Sequence, residues 1–181
     1  MNRIPKYLAL SCLALALVGC ESRTDRTDGG GVLLSVTDFD GLPINVSAST
    51  LSELAQIESI TITNVAKNPT GNTSALMNVE IQSYEVTFER LDGGTRTPPK
   101  LIEYVFGVVP VDGTMVLDNG PFMRAEQFNT QPILGLANTG LDSETGSRSI
   151  RLRVGLRFFG HTLSGDAVDS APAFFTIDVV P

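Results

Sequence analysis

The chain has 181 residues but no tryptophan, one histidine, two cysteines and three tyrosines. Each shortage excludes something. With His161 alone, a metal site built on two or three imidazoles cannot form. Cations are outnumbered too, 13 Lys and Arg against 20 Asp and Glu, for a net charge of −7. That balance is a poor match for nucleic acid or for an anionic bilayer surface. No G-x-S-x-G elbow, Walker loop or dinucleotide glycine fingerprint occurs, so no motif nominates a catalytic residue or a cofactor. The N-terminal apolar run, Tyr7 to Val18, is twelve residues long. Spanning a bilayer as a helix takes about 20.

That run has a different reading. Arg3, Lys6 and the free amine precede it and small residues close it, which is the layout of a secretory signal peptide. The close is Leu17-Val18-Gly19-Cys20, which resembles the lipobox of bacterial lipoproteins. The resemblance implies a diacylglycerol on the Cys20 thiol, cleavage before Cys20, and often a further acyl chain such as palmitate on the new amine. Each buried methylene contributes about 0.8 kcal/mol, so one chain holds marginally and two or three hold stably. The chain then divides into a signal peptide, 1–19, an acylated cysteine with a flexible tether, 20–31, and a folded domain, 32–181. The tether Glu21 to Gly31 is charged, threonine-rich and ends in three glycines, too polar to order itself. Its eleven residues reach roughly 40 Å at most. Glutamate rather than aspartate after the cysteine leans toward the outer membrane over the inner one.

Cleavage leaves 162 residues, enough for one domain. Losing Arg3 and Lys6 leaves eleven cations against 20 acids, a charge of −9. Cys12 departs with the signal peptide and Cys20 is acylated, so neither a disulfide nor a thiolate site is expected. The core alone must hold the domain.

The remainder reads as β throughout. Val32–Thr37, Leu42–Val46, Ile57–Val65, Leu76–Arg90, Ile102–Pro110, Met115–Leu117, Ile150–Phe159 and Phe174–Val180 are rich in β-branched and aromatic residues. Turn signals such as Asp40-Gly41, Asn68-Pro69, Asp92-Gly93-Gly94, Asp112-Gly113 and Gly165-Asp166 separate them. Thr50 to Ile57 is the one helical candidate, with Thr50 and Glu53 spaced as a capping box.

Two strands can be read residue by residue. Ile150, Leu152, Val154, Leu156 and Phe158 alternate with Arg151, Arg153, Gly155 and Arg157, which gives one buried face and one arginine-lined face. In the other, Val79 and Ile81 are out of phase with Tyr84, Val86 and Phe88. A strand changes phase only through a bulge, here placed at Gln82-Ser83. Beyond it Glu85, Thr87 and Glu89 face outward. Glu85 and Glu89 are therefore expected opposite the arginines, leaving Arg151, Arg153 and Arg157 neutralised rather than free to bind an anion.

This pattern resembles immunoglobulin-like or fibronectin-type β-sandwiches, all-β antiparallel folds of about seven to nine strands here. Leu76–Arg90 would be the third strand and Ile150–Phe159 the sixth, paired with each other. Phe159 to Val168, leading to Ala173–Val179, would close a final hairpin. There is no tryptophan and no cysteine pair, so the resemblance is architectural and brings no functional residues.

Isolated acids invite a metal reading and are better explained locally. Asp38 and Asp40 precede Gly41, and Asp166 and Asp169 flank a Gly-Asp turn. Neither set has the donors of a calcium loop at loop spacing, and aspartates in such turns accept local amide hydrogens. The expected function is a membrane-anchored, non-catalytic cell-envelope lipoprotein with a structural or protein-interaction role and an unidentified envelope partner. A glycan- or calcium-binding surface module is the alternative.

Overall fold

The computed structural model describes residues 31–43, 45–50 and 53–181. The expected signal peptide, Cys20 and the expected tether as far as Gly30 lie outside the described residues. Nine strands carry the described chain: β1 (Val32–Asp40), β2 (Asn45–Ser47), β3 (Ala55–Ala66), β4 (Val79–Arg90), β5 (Leu101–Val109), β6 (Gly113–Met123), β7 (Ile150–Thr162), β8 (Ala167–Asp169) and β9 (Ala173–Val180). A 3₁₀ turn (Ala75–Met77) precedes β4, and two short helices, α1 (Ala125–Phe128) and α2 (Ile133–Thr139), lie between β6 and β7.

The fold is all-β, in two sheets. One has the order β1-β3-β6, and the other β2-β9-β7-β4-β5 with β8 also on β7. Every pairing between these strands is antiparallel except β2 with β9, and an isolated parallel bridge joins Leu34 of β1 to Ser170. Alternation explains the arrangement, because each sheet turns one face inward. Ile57, Ile60, Ile62 and Phe122 come from the smaller sheet. Ile81, Tyr84, Val86, Leu152, Val154, Leu156, Phe158 and Ile177 come from the larger, and all of these join one core. The rings meet edge-on or tilted, with Phe122 and Phe175 centroids 5.4 Å apart and Tyr84 and Phe158 5.1 Å apart.

The expected bulge is present. The β4 register shifts between Ile81 and Ser83 against both neighbours, β5 and β7. Gly160 stands opposite Ile81, where an added Cβ would lie 2.1 Å from the Glu80 carbonyl oxygen. Only glycine permits that approach. The expected pairing of β4 with β7 also holds along the whole of β4, from Val79 opposite Thr162 to Arg90 opposite Leu152.

The helical expectation for Thr50–Ile57 is corrected. Residues 51 and 52 lie outside the described residues, Glu53 has a positive φ of 45°, and Ala55 to Ile57 begin β3. Gln56 and Ile57 pair with Pro121 and Gly120 of β6, so tertiary pairing outweighs a one-turn helical signal. The helices occur elsewhere. In α2, Ile133 and Leu136 are buried and Gly140, at φ 72°, closes the end through its N–H to the Leu136 carbonyl.

Candidate interaction surface

The outward face of β5 is apolar from end to end. Ile102, Tyr104, Phe106 and Val108 alternate along it and are 51, 79, 81 and 46% exposed. Leu101 and Val109 of the same strand are buried. The two rings, at about 150–250 Å² per aromatic side chain, alone leave roughly 250–400 Å² in water. A typical monomer's largest apolar patch is about 300–600 Å² and is often functional.

Neighbouring residues explain why no charge interrupts this strip. The acid of β5, Glu103, lies on the opposite face beside Tyr84, where Arg124 holds it in a two-pronged ion pair. Burial and then the Glu103 charge push the Tyr84 hydroxyl above its ordinary range, and it donates to the Pro121 carbonyl at 2.6 Å. Gly107 makes room beneath the strip, since a Cβ there would meet the Met115 sulfur at 2.3 Å. β5 is also a sheet edge, pairing with β4 and with no other described strand. Soluble proteins usually guard such an edge with an outward charge or a proline. Here Lys100 and Pro110 guard only its ends.

The arginine face of β7 is the opposite case. Arg153 donates to Glu89 across the β4–β7 pair, at 2.9 Å from Nε, as expected. The other two partners correct the expectation. Arg151 grips Asp178 of β9 at 2.8 and 3.0 Å, and Arg157 pairs with Asp169 of β8. Glu85, although opposite Arg157 in register, accepts from Lys100 at 2.7 Å. Phe174 and Phe159 lie under the Arg153 and Arg157 guanidinium groups, at 5.0 and 5.3 Å from the ring centres. The partners of the three cations are thus spread over three neighbouring strands, β9, β4 and β8, and the hydrogen bonds from Arg151 hold the Asp178 carboxyl below the usual carboxylate range.

A fourth arginine was not singled out by sequence. The Arg90 side chain is 2% exposed and reaches Asp92 at 2.6 Å and Asp142, itself fully buried, at 2.9 Å. Burial opposes the charge on each of the three groups. Their mutual hydrogen bonds outweigh it, raising Arg90 and lowering both aspartates. Asp142 also accepts the Thr145 amide and hydroxyl, and Glu144 accepts the Thr95 and Arg96 amides. This cluster ties the segment after β4 to the segment before β7.

The remaining candidate residues are placed individually. Asp40 accepts the Gly41 amide at 2.8 Å, and Asp166 accepts the Ser164 hydroxyl at 3.0 Å, while Asp169 faces Arg157. Asp38 sits beside the irregularity in the β1–β3 pairing. His161 lies 3.4 Å from Glu80 at the end of β7. Among the described residues no three acids, histidines or cysteines converge as a metal site would require. Cys20 lies outside the described residues.

No family model and no curated protein matches this chain. Among solved structures it is similar to the solution structure of a candidate late embryogenesis abundant (LEA) protein. They are 14% identical, with a TM-score of 0.43 over 96% of this chain and 85% of that one. A likeness at that level assigns neither fold nor activity.

Proposed function

We propose that this chain is a membrane-anchored, non-catalytic lipoprotein of the bacterial cell envelope, with a domain that docks on another protein through the outward face of β5. The observation that carries the docking reading is the uninterrupted apolar strip Ile102-Tyr104-Phe106-Val108 on an unpaired sheet edge. Burying such surface stabilises an interface by about 25 cal/mol per Å² before the costs of association. Extended partners commonly add a strand to an edge of this kind. The anchor reading rests on Leu17 to Cys20, with acyl chains on Cys20 and the outer membrane favoured.

The domain reads as an immunoglobulin-like or fibronectin-type β-sandwich. What supports this is strand order. In chain order β1, β3 and β6 occupy the places of strands A, B and E, and β4, β7 and β9 those of C, F and G, with β5 as the additional C′ strand beside C. Two helices stand between the E and F equivalents, and the tryptophan and cysteine pair of antibody domains are missing.

Two measurements on the full chain in its native membrane test the proposal. Cys20→Ser is expected to lose labelled palmitate and leave the membrane fraction; membrane retention equal to the parent's overturns the anchor. After mild detergent extraction, the parent is expected to sediment as an assembly heavier than one chain. A monomer at every concentration overturns the docking reading.

A further inference from the structure

We infer that the occupant of the β5 face is a second copy of this chain, the two β5 strands pairing antiparallel about a two-fold axis at Val105. This rests on the docking reading above and names its partner. A two-fold interface must be complementary to itself, and β5 is. With Val105 opposite Val105, Tyr104 meets the partner's Phe106 and Ile102 meets the partner's Val108. All nine residues of the strand then find a partner, Leu101 facing the partner's Val109 at each end. A slip of one residue would set each outward apolar side chain opposite one from the inner face. A slip of two would drive Lys100 or Pro110 into the pairing.

Charge favours the same arrangement. The full chain carries −7, so two copies repel over most of their surface. The strip has no charged residue, and Glu103, tied to Arg124 on the inner side, stands opposite the partner's Gly107. No acid meets an acid along the strand.

The chain outside the described residues sets a second condition, and it is met. Gly31 lies at the end of the domain where β5 finishes. Its carbonyl accepts the Lys67 amide, Ala66 donates to Asp112, and Asn64 donates to the Val109 carbonyl. Antiparallel pairing therefore puts the two Gly31 positions at opposite ends of the paired strands, about 30 Å apart at 3.4 Å per residue. The span from Cys20 to Gly31 covers up to roughly 40 Å, so both copies can hold their acyl chains in one bilayer.

The test is directed disulfide formation between full-length copies in the native membrane. One tagged copy carries Tyr104→Cys and a differently tagged copy carries Phe106→Cys. A pair bearing Val116→Cys, exposed on the other sheet, controls for random collision. The Tyr104/Phe106 pair is expected to give at least several-fold more covalent dimer than the Val116 pair, with both variants keeping the parent's melting temperature. Equal yields overturn the second-copy inference. If yields are equal while the extracted parent still sediments as an assembly that Tyr104→Ser with Phe106→Ser abolishes, another protein occupies β5 and docking stands. If no such assembly exists, both readings fall together.

Discussion

Strands β5 and β7 flank β4 in one sheet, and their outward faces are opposites. On β7 each exposed cation has an acid on a neighbouring strand: Arg151 with Asp178, Arg153 with Glu89 and Arg157 with Asp169. On β5 four exposed apolar side chains have no described strand beyond them. The charged face completes its own interactions within the domain and requires nothing else. The apolar face is left incomplete, and water is a poor partner for it. A charged patch is therefore a weak pointer to function here, whereas an apolar strip on an edge strand is a strong one.

Buried charge sharpens the contrast, and it carries the largest expected effect. Removing Asp142 leaves Arg90 buried with one of its partners gone, and breaking a buried pair typically costs about 3–5 kcal/mol. Asp142→Ala should lower the chemical-denaturation midpoint substantially, and an unchanged midpoint would show that the cluster contributes nothing. The same cluster fixes a direction in pH. The folded-state pKa values of Asp92 and Asp142 are depressed, so their stabilisation is fully present above the ordinary aspartate value of about 3.9. It is lost as pH falls below that value and through the folded values. Denaturation midpoints should be flat from pH 7 to 5 and then fall more steeply for the parent than for Asp142→Ala.

Exposed pairs should matter far less. Arg153→Ala removes one screened ion pair, worth about 0.2–1 kcal/mol, and the loss should shrink in high salt. A salt-independent loss would mean that the Phe174 ring contact, not the charge, is what Arg153 contributes. Smallest of all is the expected effect of Tyr104→Ser with Phe106→Ser on the stability of the isolated chain. Both rings are mostly in water, and such surface changes usually fall within about 0.5 kcal/mol. Thermal unfolding of the monomeric chain checks this, and a large drop would show that the rings pack on the domain.

Much of this frame is legible in the residues themselves, for definite reasons. The phase change between Ile81 and Tyr84 located the bulge, because the period of two leaves no other way to bury both halves. Alternation in Ile150–Phe158 predicted which face of β7 carries arginine. It also pointed to Glu89 as the partner of Arg153, but not to the partners of Arg151 and Arg157. Asp178 and Asp169 sit on β9 and β8, and Lys100 takes Glu85 from Arg157, so the pairing depends on strands remote in sequence. The β5 strip was hidden for a related reason. Leu101 to Val109 reads as a nearly continuous apolar run, the signature of a strand buried on both faces. Only sheet order reveals that one of those faces is open. Helix α2 did leave a signal, with Ile133, Leu136 and Ala137 at helical spacing before Gly140, but seven residues are too few to outweigh a β-rich context.

On the proposal above, the β5 face and not the β7 face makes the contact. Sedimentation of the detergent-extracted full chain tests this most directly, comparing Tyr104→Ser/Phe106→Ser with Arg151→Ala/Arg153→Ala/Arg157→Ala. The first variant is expected to sediment as a single chain and the second to keep the parent's assembly. An assembly that survives loss of both rings but not loss of the three arginines would contradict the proposal.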